Sequence, residues 1–388
     1  MERLWTKPYI QMMVAMLFLF TALYLLLPTL PLFIKQLGGS ESQVGLAAGA
    51  FTLAAVVFRP LVGGLVDRYG RRPFILWGLL FFVLSMYLYD WIAGIAILML
   101  LRVLHGVSWA FSTTAVSTSI ADIIPSSRRG EGMGWFGMAM TVAMAIGPML
   151  GIWVMEHLSF QSLFLLATAF AAASLLLAYP IRIPFQPKDG PRRIQWFEAS
   201  VAPVTAACFF LAVVYGGITT FVPLFSETIK VNPGTFFLVY AIMLTLIRPV
   251  AGKLSDRYGA VWVIVPSLAV TACALLLLSV TDSLLGVVAA AVLYGIGFGS
   301  AQPALQATNL LLSHPDRKGV ATASFMTAFD LGIGLGSIVL GWVSQYTGYP
   351  MLFMASAVSV GISLLVFIVF VRRALLQHRT PGQEQVAR

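Results

Sequence analysis

The sequence predicts an all-α membrane protein of twelve spanning helices in two pseudo-symmetric six-helix bundles, and three observations predict it. The first is composition: of 388 residues 59% are hydrophobic and only 10% charged, with a mean hydropathy of +0.90. That is far more apolar than a water-soluble chain of this length. The second is segmentation. Apolar stretches of roughly 20 residues, the length a helix needs to cross hydrocarbon, lie end to end along nearly the whole chain. The third is a repeat: Arg59-Pro60-Leu61-Val62-Gly63-Gly64-Leu65-Val66-Asp67-Arg68-Tyr69-Gly70 recurs 189 residues later as Arg248-Pro249-Val250-Ala251-Gly252-Lys253-Leu254-Ser255-Asp256-Arg257-Tyr258-Gly259, with eight of twelve positions identical.

Taken in order, the spans start near Tyr9, Gln43, Pro73, Gly94, Gly132 and Gln161, and then near Val201, Thr235, Val261, Leu284, Val320 and Pro350. The offset of 189 also maps His105-Gly106 onto Tyr294-Gly295 and Gly147 onto Gly336, so one six-helix unit has been duplicated. Six is even, so both copies enter the membrane from the same side, as parallel halves about an axis along its normal. Residues 1–181 are the expected first bundle, 182–198 a linker, 199–374 the second bundle and 375–388 a tail. The stretch Ile181 to Glu198 holds Pro184, Pro187 and Pro191 among Arg182, Lys188, Arg192 and Arg193. Prolines at that density do not continue a helix, and the basic residues suit anionic lipid headgroups or a plain solvated tether. The polar tail reads as disordered at its end.

A net charge of +9 suits nucleic acid in a soluble protein, but here placement argues for topology. Of 24 Lys and Arg, Lys35 and Lys230 fall on one side of the membrane and Arg59, Arg102 and Arg248 within spans. The remaining 19 lie in the termini and alternate loops, which the positive-inside rule makes cytoplasmic. Both termini are therefore expected in the cytoplasm of a multi-pass cell-membrane protein, with lipid and no nucleic acid as partner. The segment Met1 to Ile10 has two basic residues before a span too long for a signal-peptide core, so the first helix is expected to be permanent. Cys208 and Cys273 each lie in an apolar span, which leaves no disulfide framework or thiolate metal site.

After the second span comes Gly63-x-Leu65-Val66-Asp67-Arg68-x-Gly70-Arg71-Arg72. Its glycines permit a tight turn, and Asp67 falls close to the start of the third helix, where negative charge is favoured. Candidate partners for Asp67 are Arg68, Arg71 or a neighbouring helix; Asp122, at the inner end of the fourth span, is a candidate acceptor for Arg71 or Arg72. This pattern resembles the loop signature of the major facilitator superfamily nearly residue for residue. The resemblance implies that Gly63, Asp67, Arg68, Gly70, Arg71, Arg72 and Asp122, with the degenerate copy at Asp256 and Arg257, form a cytoplasmic latch. The plainer alternative is that these charges only anchor the topology.

The fourth span reads Leu98-x-x-x-Arg102-x-x-His105-Gly106-x-Ser108-Trp109-Ala110, similar to the family's second signature with His105 where Gln is common. An arginine in mid-membrane costs a few kcal/mol even on insertion scales, so it must face protein or water. Arg102, His105 and Trp109 share one helical face. That face serves proton coupling through Arg102 and His105 or anion binding; alternatively Arg102 braces backbone carbonyls and His105 is packed and neutral. The fifth span carries Ala143-x-x-x-Gly147-Pro148-x-x-Gly151-Ile152. Small residues at this spacing let helices approach closely and Pro148 bends the span. The pattern resembles the family's antiporter signature, with Ala143 and Ile152 in place of glycines.

Asp330 is the carboxylate left deep in a span, the eleventh. Charge is disfavoured there, so the proton-carrying form is favoured, which makes Asp330 a candidate proton carrier; the alternatives are an ion pair with an intramembrane arginine or a position nearer water. Drug exporters of the family often carry an acid in the first span, where this chain has only Thr21 and Tyr24. The resemblance further implies a central cavity lined by the first, fourth, seventh and tenth helices, which nominates Tyr24, Trp109, Phe210, Tyr215, Tyr294 and Gln302 as substrate contacts. The 16 Met and 27 Phe suit an adaptable apolar cavity.

Gly295-x-Gly297-x-Gly299 and Gly332-x-Gly334-x-Gly336 lack the spacing and the preceding strand of a dinucleotide loop, and no phosphate loop of the Gly-x4-Gly-Lys-Ser/Thr type occurs. His105, His157, His314 and His378 have no metal-ligand spacing. The expectation is not an enzyme, and no cofactor or metal is implied. It is a monomeric, proton-coupled exporter of a small amphiphilic molecule, drug-like or metabolite, working by alternating access. The rivals are a dedicated metallophore, sugar or metabolite exporter, an importer of the same fold, and a non-transporting receptor or scaffold, against which Arg102 and Asp330 argue.

Overall fold

Hydrocarbon offers no hydrogen bonds, so a spanning segment must satisfy its backbone internally, and the helix does so within one segment. The computed structural model describes residues 4–125, 129–182, 198–314 and 318–379, apart from a few side chains within them. Among the described residues there is no strand, and twelve helices are long and apolar enough to cross a membrane. They fall into two compact units, Met1–Ile194 and Gln195–Arg388. The expected linker lies almost wholly in 183–197, outside the described residues, as does most of the expected tail.

The first unit holds α1 (Lys7–Gln36), α2 (Glu41–Tyr69), α3 (Arg71–Leu88), α4 (Ile95–Ile123), α5 (Arg129–His157) and α6 (Phe160–Ala178). The second holds α7 (Ala202–Thr228), α8 (Pro233–Tyr258), α9 (Val261–Val280), α10 (Leu284–Leu312), α11 (Lys318–Thr347) and α12 (Tyr349–Val366). Each starts within three residues of the sequence expectation. Polar caps explain several starts: Ser40 and Gln43 form a reciprocal capping box on α2, and Ser159, Ser283 and Asn232 accept from first-turn amides of α6, α10 and α8.

Packing repeats with the sequence. In the first unit α1 packs on α5 and α6, α4 on α2 and α3, and α3 on α6; in the second α7 packs on α11 and α12, α10 on α8 and α9, and α9 on α12. The starts of α4 and α10, α5 and α11, and α6 and α12 are each 189 residues apart. α1 and α7 are the most enclosed helices, while Trp77, Phe81, Trp91, Trp262 and Leu285 present large apolar surfaces outward, as a lipid environment allows. One asymmetry stands out at the end: α12 continues through a π turn, Phe367–Val371, into the short basic α13 (Arg372–Arg379), whereas α6 stops at Ala178.

The α2–α3 connection is a correction to the expected loop. α3 begins at Arg71, two residues before Pro73, and Gly70 alone separates the helices, at φ +92°. After α8, Gly259 takes the same conformation at φ +93°, with Ala260 between it and α9. A residue with a Cβ pays to enter this left-handed region, which is why a single glycine turns the chain. Asp67 lies in the last turn of α2, four positions before the first residue of α3.

Candidate functional site

The glycine joint places Arg71 and Arg72 on the first turn of α3, aimed back at their own unit. Arg71 Nε forms an ion pair with Asp122 Oδ2 at 2.7 Å, joining the start of α3 to the end of α4. Arg72 Nη2 donates to the Tyr179 carbonyl at 3.3 Å, just past α6. Arg68 and Arg257, exposed and related by the repeat, each lie 5.3 Å from the ring of the tyrosine that follows. Gly63 has open space where a Cβ would go. The side chains of Asp67 and Asp256 lie outside the described residues.

The Ala143-Gly147-Pro148-Gly151 face of α5 lies against α1. A Cβ on Gly147 would stand 2.5 Å from Tyr24 Cβ, and one on Gly151 would meet the Leu25 carbonyl. Tyr9, at the other end of the pair, donates from its hydroxyl to the Gly132 carbonyl at 2.7 Å. In the second unit Gly332 and Gly336 on α11 approach Phe209 and Val213 on α7 in the same way. Val213 is the repeat mate of Tyr24 and Gly336 that of Gly147, so both copies carry one backbone seam.

Arg102 is 2% exposed, and His105 is fully buried. Arg102 is the eighth residue of a 29-residue helix, about 11 Å from its start at 1.5 Å per residue, not at mid-span as expected. Its Nε donates to the Ala47 carbonyl of α2 at 2.8 Å, and its guanidinium lies 4.4 Å from the Phe51 ring centroid. Nη1 donates to the Tyr89 hydroxyl at 3.3 Å, and that hydroxyl lies 3.0 Å from His105 Nδ1. A guanidinium only donates, so the phenol oxygen accepts from Arg102, and the direction of the Tyr89–His105 bond depends on the histidine tautomer. The backbone bond to Ala47 is bracing geometry, stitching α4 to α2. Phe51 and Phe82 pack edge-on against His105, both centroids at 4.8 Å. Trp109 meets Phe20 at 4.8 Å, and Phe20 stacks on Tyr24, so two nominated cavity residues share one aromatic cluster in the first unit.

In the second unit a run of rings replaces the charge. Tyr215 stacks on Phe298 at 5.0 Å and Phe298 on Tyr294 at 5.4 Å, both within 14° of parallel. Phe329 also stacks on Tyr215, at 5.8 Å. Gln302, buried one turn beyond Phe298 on α10, belongs to the same neighbourhood. Phe210 stays apart: its ring contact is Phe209, and its carbonyl accepts from Ser359 of α12. Asp330, residue 13 of the 30 in α11, is half-buried and within electrostatic reach of the buried Cys208 thiol on α7. Among the described residues no three His, Cys, Asp or Glu gather as metal ligands.

Sequence reasoning missed Tyr89, Phe298 and Phe329. Phe298 was within reach, since the 189-residue offset carries Trp109 onto it. Tyr89 comes from a 3₁₀ turn, Tyr89–Trp91, whose only signal is an aromatic at a span end.

Against known proteins, the family model described as Major Facilitator Superfamily matches residues 12–332 and again 233–387. The staphylopine export protein of Staphylococcus aureus is 25% identical over 371 residues, covering 89% of this chain and 92% of that one. The quinolone resistance protein NorA of Staphylococcus aureus is 25% identical over 383 residues, covering 93% and 96%. Among solved structures, a bacterial homologue of the human lysosomal transporter Spinster, inward-facing and occupied, aligns with a TM-score of 0.79 at 16% identity, over 96% of this chain and 97% of that one. At that identity the likeness speaks to fold alone.

Proposed function

Because this chain belongs to the Major Facilitator Superfamily and is a multi-pass membrane transporter rather than an enzyme, we propose that it exports a small amphiphilic molecule across the cell membrane in exchange for protons. The observation that carries the reading is Asp330, a carboxylate near the middle of a spanning helix, where a permanent charge is expensive and a removable one useful. Protonation from outside weakens its hold on a basic or polar partner and favours the state that reloads from the cytoplasm; release inside resets the cycle. Protons flow in and substrate flows out. Tyr24 and Trp109 in one unit, and Tyr215, Tyr294, Gln302 and Phe210 in the other, are the proposed substrate contacts. The Arg102–Tyr89–His105 chain is the first unit's proposed contribution to coupling, and the Arg71–Asp122 pair its cytoplasmic latch. Export is supported by the relatives, several of which are named as drug efflux or resistance proteins.

Asp330→Asn in proteoliposomes is expected to abolish substrate-driven proton flux across a compound panel while the protein stays folded; unchanged coupling would remove Asp330 from this role. A second reading, a dedicated metabolite exporter, is favoured by the staphylopine export protein among the relatives. Growth of an expressing strain across unrelated toxic compounds separates the two: broad protection supports the drug exporter, and protection against none of them the dedicated one.

A further inference from the structure

Phe329 sits next to the proposed proton carrier and touches the proposed substrate face. Its ring begins the stacked series Phe329–Tyr215–Phe298–Tyr294, which runs from α11 through α7 to α10. All four rings are buried. Beneath them the backbones of α7 and α11 are in contact: a Cβ on Gly216 would stand 2.6 Å from the Ile333 carbonyl oxygen, and one on Gly336 2.7 Å from Val213 Cα. The Thr220 and Ser337 hydroxyls meet at 3.4 Å across the same seam. Packed interiors transmit displacement rather than absorb it, so α11 does not shift without α7 and its rings responding.

The duplication supplies an internal control. The first copy has the same glycine seam between α1 and α5, but Met140 and Thr141 stand where Phe329 and Asp330 stand, and Leu26 where Tyr215 stands. The further rings, Phe298 and Tyr294, do have ring-bearing counterparts in Trp109 and His105. The positions of Phe329, the chain neighbour of the acid, and of Tyr215, which it touches, therefore carry rings only in the copy that has the acid. We infer that Phe329 is a positioning residue that passes a change of charge at Asp330 to Tyr215, so that proton uptake on α11 resets the substrate-facing rings of α7 and α10. This rests on the reading of Asp330 as proton carrier.

The test needs no substrate. The full chain, labelled with fluorotyrosine and reconstituted in lipid nanodiscs, gives a Tyr215 fluorine resonance assigned by its loss in Tyr215→Phe. Asp330→Asn is expected to shift that resonance when Phe329 is present. The Asp330→Asn shift is expected to be lost in Phe329→Leu, with Phe329→Met as a second ring-free background should Leu not fold, and to return in Phe329→Tyr. An undiminished shift without the ring overturns the inference, and so does a shift abolished by Cys208→Ala instead, which would route the effect through the thiol. No shift in the presence of Phe329 overturns it too. The proton-carrier reading stands or falls separately, on the flux of Asp330→Asn alone.

Discussion

Arg102 keeps a charge inside a lipid-surrounded bundle by spreading it over a carbonyl, a phenol and a ring face. Tyr89 has two duties there, accepting from Arg102 and facing His105, so Tyr89→Phe leaves both with an unmet hydrogen bond. The expected loss is about 2 kcal/mol, the range for bonds to charged groups, read as a lower midpoint of thermal unfolding in detergent. Arg102→Lys should be no milder, because an ammonium cannot reach Ala47 and Tyr89 with a planar fork. The i, i+3 spacing of Arg102 and His105 made their shared face legible in the sequence. Their partner was not, because Tyr89 reaches them from a turn 13 and 16 positions away, and no periodicity links a turn to a helix face. Asp330 was legible as an isolated acid in an apolar run; the ring beside it looked like any other Phe in a chain with 27.

For the helices, apolar runs were enough to place the start of every span to within three residues. What they hid was the joint after α2, because one left-handed glycine replaces a loop that composition would draw longer. Gly70→Ala is expected to cost about 1–3 kcal/mol through that backbone conformation alone, read as a lower unfolding midpoint. The signature glycines differ in a way the motif conceals. Gly147→Ala pushes a methyl into Tyr24 Cβ and should cost about 1–3 kcal/mol by overpacking. Gly63→Ala meets nothing within 4 Å and should gain about 0.5–1 kcal/mol of helix propensity. Unfolding midpoints of the two variants, moving in opposite directions, check this pair; a transport defect in Gly63→Ala without loss of stability would mark a conformational role.

Across the whole molecule the repeat was the most informative line of the sequence, since it gave the two-unit division before any contact was known. It did not give the differences between copies, the charge network in one and the ring series in the other, because those depend on which side chains meet across helices. Residues 1–181 and 199–388, co-expressed as two chains, are expected to give two helical units whose circular dichroism sums to that of the intact protein. A reporter enzyme inserted after Gly70 should be active only in the cytoplasm and one beside Lys230 only outside, which tests the proposed orientation of the termini.

The spacing of 189 residues holds from the joint after α2 to the start of α12. No net gain or loss of a residue therefore separates the two copies over four successive connections, although most of their side chains have diverged. Diversification has gone by substitution, with connector length held fixed. Chimaeras that exchange α4 for α10, or α5 for α11, can accordingly be spliced at equivalent numbers with no trimming, and each asks directly which copy's chemistry a given step requires.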